Sequence, residues 1–262
     1  MVILVNYQCF FMKIKFINLN LWAVGAIFDK ALDFLIKEKA DILALQEVFD
    51  GQDSNLQSGF RALNILKEKL DLPYYFYSPA FTDNRKEGRI KSGNAIFSRW
   101  PIVSTKTTFI DGSYNDEYID DPKNYPYVPR NLQQAVIQSN KISLNIFNTQ
   151  GIWGLDGDDN ERRLKMSQDI VNQIKENKNA ILAGDFNVKE KTKSIRNIEK
   201  YLNNIFKGER TTSFNMKRKT NPGFGTAVVD FIFASPNFKV IDHQCPQIDV
   251  SDHLPLVTVL EV

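Results

Sequence analysis

Apolar residues recur along this chain with two periods, and the periods mark out its elements. Residues 14–20 alternate before finishing on the amides of Asn18 and Asn20, which predicts a strand that carries polar groups to its end. Ala31, Leu32, Leu35 and Ile36 share one face of a 3.6-residue period and predict a helix over 28–39. The apolar run 41–47 stops abruptly at Gln46-Glu47 and reads as a buried strand; a second amphipathic helix is expected over 60–70 and a strand from 74 to 78. Residues 93–98 and 134–139 read as strands separated by a long polar segment. Within it, 111–129 is rich in Tyr, Asp and Pro and is expected to be an ordered surface loop. Further strands are expected at 141–149, 179–183, 228–234 and 254–260, and a strongly periodic helix at 160–177. Strands alternating with helices early, then strand-rich stretches late, predict an α/β chain of two sheets with helices packed outside them.

No repeat, low-complexity run or Gly/Ser linker divides the 262 residues, so one domain is expected over 12–262. Residues 1–11 are apolar but broken by Asn6 and Gln8, too short to span a membrane and without the basic flank of a signal peptide. They read as an N-terminal extension upstream of a native start at Met12, with a short edge strand or a tail as the alternative. The 33 basic and 31 acidic residues nearly cancel, which excludes wholesale polyanion binding through charge alone. Two cysteines, Cys9 and Cys245, cannot build a disulfide framework and suit a reducing, cytoplasmic setting. A monomer with no transmembrane segment is expected.

The chemistry concentrates at strand ends. Apolar runs finish in Asn18/Asn20, Gln46/Glu47, Asp185/Asn187, Asp230 and Asp252/His253. A buried run that ends in an acid is awkward unless the acid is exposed, paired or metal-bound, and so many such ends point to one polar cleft. Glu47, Asp252 and the Asn18/Asn20 amides are oxygen donors that suit Mg²⁺ or Mn²⁺, and the lack of a Cys/His cluster argues against zinc. Such an ion polarises a phosphoryl oxygen. Asp185 would orient or deprotonate a water, and Asn187 would offer amide donors to a phosphate or a metal-bound oxygen. His253, one of only two histidines beside His243, would stabilise charge or move a proton if Asp230 held it. Taken alone, the Asp-His pair could do no more than close a turn.

Asn20, Leu45-Gln46-Glu47-Val48, Gly93 through Pro101, Gly184-Asp185-Phe186-Asn187, Val229-Asp230-Phe231 and Ser251-Asp252-His253 occur in the order seen in the endonuclease/exonuclease/phosphatase superfamily, the DNase-I-like enzymes. The chain resembles that superfamily from about Met12 to its last residue. The resemblance implies a four-layer sandwich, two mixed sheets flanked by helices, and divalent-metal phosphoester hydrolysis at one sheet edge. By motif position it implies Glu47 as the main metal carboxylate, supported by Asn20 and Asp252. Asp185 is implied to align the water, Asn187 to bind the phosphate, and Asp230 to partner the catalytic His253. Arg130 matches an arginine that contacts the phosphate, with a solvated strand-start arginine as the plainer reading. Where many members carry a histidine after Asn-Thr, this chain has Gln150, which keeps hydrogen-bonding capacity without an imidazolium charge. Gln150 is expected either to bind phosphate or to hold a loop.

The expected substrate is a phosphoester, with nucleic acid foremost. Two basic stretches, 85–91 and 216–220, would supply the phosphate contacts of a nuclease, and Arg162 and Arg163 are further candidates. Against them, 111–129 carries Asp111, Asp116, Glu117, Asp120 and Asp121, which would repel a polyanion unless turned away. Its tyrosines, 114, 118, 125 and 127, would stack on a base or cover a small substrate. The Gly-rich loop 151–160 would shape a pocket or simply lead to an N-cap at Asn160. Hydrolysis of a small phosphoester is the second reading, and a catalytically silent binding module the third.

Overall fold

The computed structural model describes residues 12–22, 27–139 and 142–262, so the extension expected at 1–11 lies outside the described residues. In chain order the elements are β1 (Lys13–Asn20), α1 (Phe28–Glu38), β2 (Ile42–Asp50), α2 (Ala62–Lys69), β3 (Tyr74–Arg85), β4 (Gly88–Ser98), β5 (Ile102–Asp111), β6 (Asn115–Tyr118), β7 (Arg130–Gln138), β8 (Ser143–Gln150), α3 (Glu161–Ile174), β9 (Ala180–Asp185), α4 (Lys193–Glu199), β10 (Asn203–Asn204), β11 (Asp230–Ala234), β12 (Lys239–Gln244) and β13 (Leu256–Glu261). They form a seven-stranded sheet, β12-β13-β1-β2-β4-β3-β6, and a six-stranded sheet, β10-β11-β9-β8-β7-β5. Parallel pairs, β1 with β2, β3 with β6 and β8 with β9, occur among antiparallel neighbours, so both sheets are mixed.

Strand alternation sorts the side chains into layers. Phe16, Ile42, Ala44 and Ile96 of the first sheet pack against Ala135, Ile146, Ile181 and Ile232 of the second. Their neighbours one residue away point outward: Ile17, Leu43 and Leu45 meet Ala31, Leu35, Leu63 and Leu66 of α1 and α2. On the far side Phe147, Leu182, Phe231 and Phe233 meet Met166, Ile170, Ile174 and Ile195 of α3 and α4. The result is the expected four-layer sandwich. Buried on both faces, the central strands needed continuous apolar runs, which is why they were readable in the sequence. Among the described residues no helix is long and apolar enough to cross a membrane.

Several boundaries differ from the sequence expectation, for physical reasons. β3 and β4 run on to Arg85 and start at Gly88, forming a long hairpin whose outer part carries charged residues that broke the apolar pattern. β5, β10, β12 and α4 were not expected. β5 is a run of Ser, Thr and Lys, mostly exposed, and β12 is an exposed edge strand, so neither shows an apolar stripe. Residues 111–129 are more than a loop. β6 pairs in parallel with β3, and Pro122–Tyr127 forms a short 3-10 turn. Asn160 does cap α3, its side chain accepting from the Arg163 N–H at 3.0 Å.

Candidate active site

Along each central strand the residues facing the opposite sheet change from apolar to polar toward one end. In β1 the series is Ile14, Phe16, Asn18, Asn20; in β9 it is Ile181, Ala183, Asp185. β1, β2, β8 and β9 reach that end with their C-termini, while β7 and β11 reach it with Arg130 and Asp230 at their first residues. Register then does the assembly. Asn20 lies opposite Gln46, Gln150 opposite Asp185, and Asp185 opposite Asp230.

A buried layer of amides separates this end from the core. Gln46 donates to Asn18 Oδ1 at 2.9 Å and to Asn148 Oδ1 at 2.7 Å, and Asn148 donates to Gln133 Oε1 at 2.9 Å. Asn18, expected among the cation-binding amides, is therefore committed to this layer. Asn20 reaches the site: its amide donates to Glu47 Oε1 at 3.0 Å and to Asp185 Oδ2 at 3.1 Å. Asn187 donates its backbone N–H to Asp185 Oδ1 at 3.0 Å and its side-chain amide to Oδ2 at 3.2 Å. Asp230 Oδ2 lies 2.8 Å from His253 Nδ1, and the His253 ring packs on Phe214 at 4.7 Å. Gln150 joins Arg130 to Glu47, accepting from the Arg130 guanidinium and donating to Glu47 Oε1 at 2.7 Å. Arg130 is buried and lines the pocket, so the solvated strand-start reading does not hold.

Backbone strain collects here. Trp22, Glu47 and Asn187, all lining the pocket, have φ of 47°, 55° and 53°, in the left-handed region that costs ordinary residues on the order of 1–3 kcal/mol. At Glu47 the strain coincides with a register shift between Leu45 and Val48, a bulge that re-aims the side chain. Gly184, at φ 155°, leaves room where a Cβ would stand 2.0 Å from the Thr149 carbonyl oxygen, so the residue before Asp185 must be glycine.

The charges are arranged unequally. Burial raises the Asp185 carboxyl, with His253 opposing and Asp230 and Glu47 adding to the rise. Burial disfavours the His253 imidazolium, yet Asp230, Asp185 and Asp252 together hold its pKa at about 10. His253 thus carries a proton at neutral pH.

The donor set fits a hard cation. Glu47, Asp185, Asp252 and Asn20 are oxygen donors with no thiolate among them. Asp252 is already held by a cation, with Oδ2 2.7 Å from Lys219 Nζ. Asp185, Asp230 and His253 also bring ligand atoms within 4.8 Å of one another. A protonated ring bonded to Asp230 is a poor ligand, which favours the Glu47 side.

These residues floor a pocket of about 420 Å³. Its walls include residues the sequence reading did not assign to the site: Trp22, Phe49, Phe81, Asp83, Phe214 and Phe224. Tyr118, Tyr125 and Trp153 of the loops singled out above also line it, whereas Tyr114 is tied to Thr82 and Tyr127 stands outside. Arginines of the basic stretches are paired with acids, while Lys86, Arg89, Lys91 and Lys217 stay exposed. Arg85 pairs with Asp83 and Asp120 at 2.8 and 3.1 Å, Arg89 reaches Asp116 at 3.9 Å, and Arg218 holds Asp249 at 2.6 Å. Arg162 pairs with Asp111, and Arg163 is fully buried, holding the Ile152 carbonyl and Asp156. None of these arginines is the free polyanion contact that the sequence suggested. His243 pairs with Glu209 and does not line the pocket.

A family model for the endonuclease/exonuclease/phosphatase family matches residues 18–253. Comparison with curated proteins by sequence gives no match. Among solved structures, an endonuclease/exonuclease/phosphatase from Bacteroides vulgatus is 18% identical, with 96% of this chain and 99% of that chain covered at a TM-score of 0.70. A mannosyl-6-phosphatase of Bacteroides thetaiotaomicron is 20% identical over 94% of this chain and 99% of its own, at 0.67. A humanized D. rerio TDP2 is 14% identical over 95% and 99%, at 0.66. At these identities the likeness shows a shared fold.

Proposed function

Since the chain belongs to the endonuclease/exonuclease/phosphatase family, we propose that it hydrolyses a small phosphoester with the help of a divalent metal ion. The carrying observation is the pocket: its floor is the Glu47–Asp185–His253 edge, its walls are aromatic, and Arg85 and Arg218 are paired with acids. The two basic stretches were the motive for placing nucleic acid first; with Arg85 and Arg218 committed to acids, the enclosed pocket weighs more than the exposed lysines that remain.

Glu47, with Asn20 and Asp252, would hold Mg²⁺ or Mn²⁺, which supplies Lewis-acid polarisation of the phosphoryl oxygen and offsets the charge that develops there. Asp185, its carboxyl raised by burial, is a stronger base than an exposed aspartate. It accepts a proton from the attacking water as the new P–O bond forms. Asn187 and Arg130 offer donors to the phosphoryl oxygens, and Gln150 keeps Arg130 in place. As the P–O bond to the alcohol breaks, His253 gives its proton to the leaving oxygen, and Asp230 stabilises the imidazolium beforehand.

The test is a substrate panel for the full chain with Mg²⁺ or Mn²⁺: p-nitrophenyl phosphate and sugar phosphates beside single- and double-stranded DNA and RNA. The reading expects phosphate release from small esters. Cleavage of nucleic acid with none of the small esters would restore the nuclease reading, and inactivity throughout would favour the silent module.

A further inference from the structure

The pocket runs from Glu47 across the sheet edge to β3, where Asp83 stands. β2, β4 and β3 are neighbours, so two strand spacings, about 10 Å, separate the strands at its two ends. Asp83 is 2% exposed. Arg85 donates to its Oδ2 at 2.8 Å, while Oδ1 is buried with no hydrogen-bond partner. The Asp120 backbone also favours the ionised form of the Asp83 carboxyl. Buried carboxylate oxygens are ordinarily satisfied, so an unpartnered acceptor on a residue that lines a cavity asks for a donor from a ligand.

The surroundings narrow what that ligand is. Arg85 is fixed between Asp83 and Asp120 and lies over the Phe60 and Phe49 rings at 5.0 and 5.8 Å, so donor and acceptors form one rigid group. A hydroxyl can donate to Asp83 and accept from Arg85, which a phosphate or a carbonyl cannot do. Asp83 and Asp120 against the single charge of Arg85 leave this end with no free cation for the next phosphate of a nucleic acid chain, while a neutral group is unopposed. The walls are Phe81 tilted 55° against Tyr118 and Tyr125 at 84° to Trp153. These pairs do not make a parallel slot for a flat base; they offer ring faces and edges to a puckered ring carrying C–H groups.

We propose that the Asp83–Arg85–Asp120 end of the pocket is a subsite for the hydroxyl groups of a sugar ring, which makes the substrate a sugar phosphate. The ester's phosphate then lies at the Asp185 end and its hydroxyls at Asp83. The assignment of the phosphate end rests on the small-phosphoester reading above. The reaction is hydrolysis: water adds to phosphorus, the P–O bond breaks, and the sugar hydroxyl leaves with a proton.

The test compares kcat/KM for the 6-phosphates of glucose, mannose and galactose with that for glycerol 3-phosphate, in the parent and in Asp83→Asn. At least one hexose phosphate is expected to exceed glycerol 3-phosphate about tenfold. Asp83→Asn should shrink that ratio about tenfold, mainly through KM. Hydrolysis of glycerol 3-phosphate as fast as every hexose phosphate would overturn the subsite and leave the hydrolase reading intact. Should no ester be hydrolysed, the hydrolase reading falls, and calorimetric titration of the same hexose phosphates decides the subsite. Saturable binding weakened in Asp83→Asn supports it, and no binding overturns it. If Asp83→Asn does not fold, Tyr125→Leu carries the same ratio and binding measurements.

Discussion

Asp185 and Asp83 are the same chemical group, each 2% exposed, on opposite sides of one pocket. Burial raises both carboxyls, Asp83 to about 6 against the pull of Arg85. What differs is who completes them. Both oxygens of Asp185 accept hydrogen bonds from Asn20 and Asn187, in a strand register that also sets Gln150 and Asp230 beside it. Asp83 has one oxygen on Arg85 and the other bare. The catalytic side is finished by the chain itself, as preorganised chemistry requires; the other side is finished by what binds.

That contrast can be broken from either side, and the largest effect is expected at Asp185. Asp185→Asn keeps the shape but removes the base and one of the two acceptor oxygens, and should lower kcat by about 10³-fold with KM little changed. Steady-state kinetics on p-nitrophenyl phosphate reads it; a loss confined to KM would place Asp185 in binding rather than chemistry. Asp230→Asn removes the carboxylate at 2.8 Å from His253 and should cost about 10²-fold in kcat in the same assay. A change under threefold would detach the Asp230–His253 pair from the reaction.

On the Asp83 side the expected effect on stability is smaller and depends on pH. Its folded pKa, about 6, lies above the ordinary 3.8, so folding favours the protonated acid. That stability is fully present below the ordinary carboxylate range and is lost as pH rises through about 6. Asp83→Asn mimics the protonated form at every pH. The stability difference between variant and parent should therefore grow in the variant's favour by about 1 kcal/mol from roughly pH 5 to pH 7. Urea unfolding at the two pH values measures it, and a difference flat with pH would mean that Asp83 is not strained by burial. The smallest effect is expected at Lys165→Ala, far from either carboxylate. Its exposed pair with Asp169 on α3 should be worth under about 0.5 kcal/mol in the same unfolding assay, with no change in kcat.

How much was legible follows the same division. Asn20, Glu47, Asp185, Asn187, Asp230, Asp252 and His253 could be found because each borders a buried apolar run, after it or before it, and strand register gathers such borders without further information. Gln150 and Arg130 needed the family pattern, because a glutamine or an arginine at a strand end is ordinary. Asp83 gave no signal. It lies within a long hairpin strand of mixed polarity, and its neighbours in space, Tyr118, Asp120 and Tyr125, come from a segment read as a surface loop. The basic stretches misled for a related reason. Asp120, Asp116 and Asp249, which pair with Arg85, Arg89 and Arg218, lie about 30 residues away, and periodicity carries no information about which charges will meet. Arg163 misled most plainly. It occupies the first turn of α3, where an arginine is normally solvated, yet it is buried as the clamp of the loop that leads into the helix.

The central claim, a metal-dependent phosphoester hydrolase whose chemistry resides at Asp185, is tested most directly by inorganic phosphate release from hexose 6-phosphates and p-nitrophenyl phosphate. The full-length protein and Asp185→Asn are compared with Mg²⁺ or Mn²⁺ and after chelation. Release by the parent should disappear on chelation and fall about 10³-fold in the variant. Release that survives chelation, or that proceeds equally in Asp185→Asn, would contradict it.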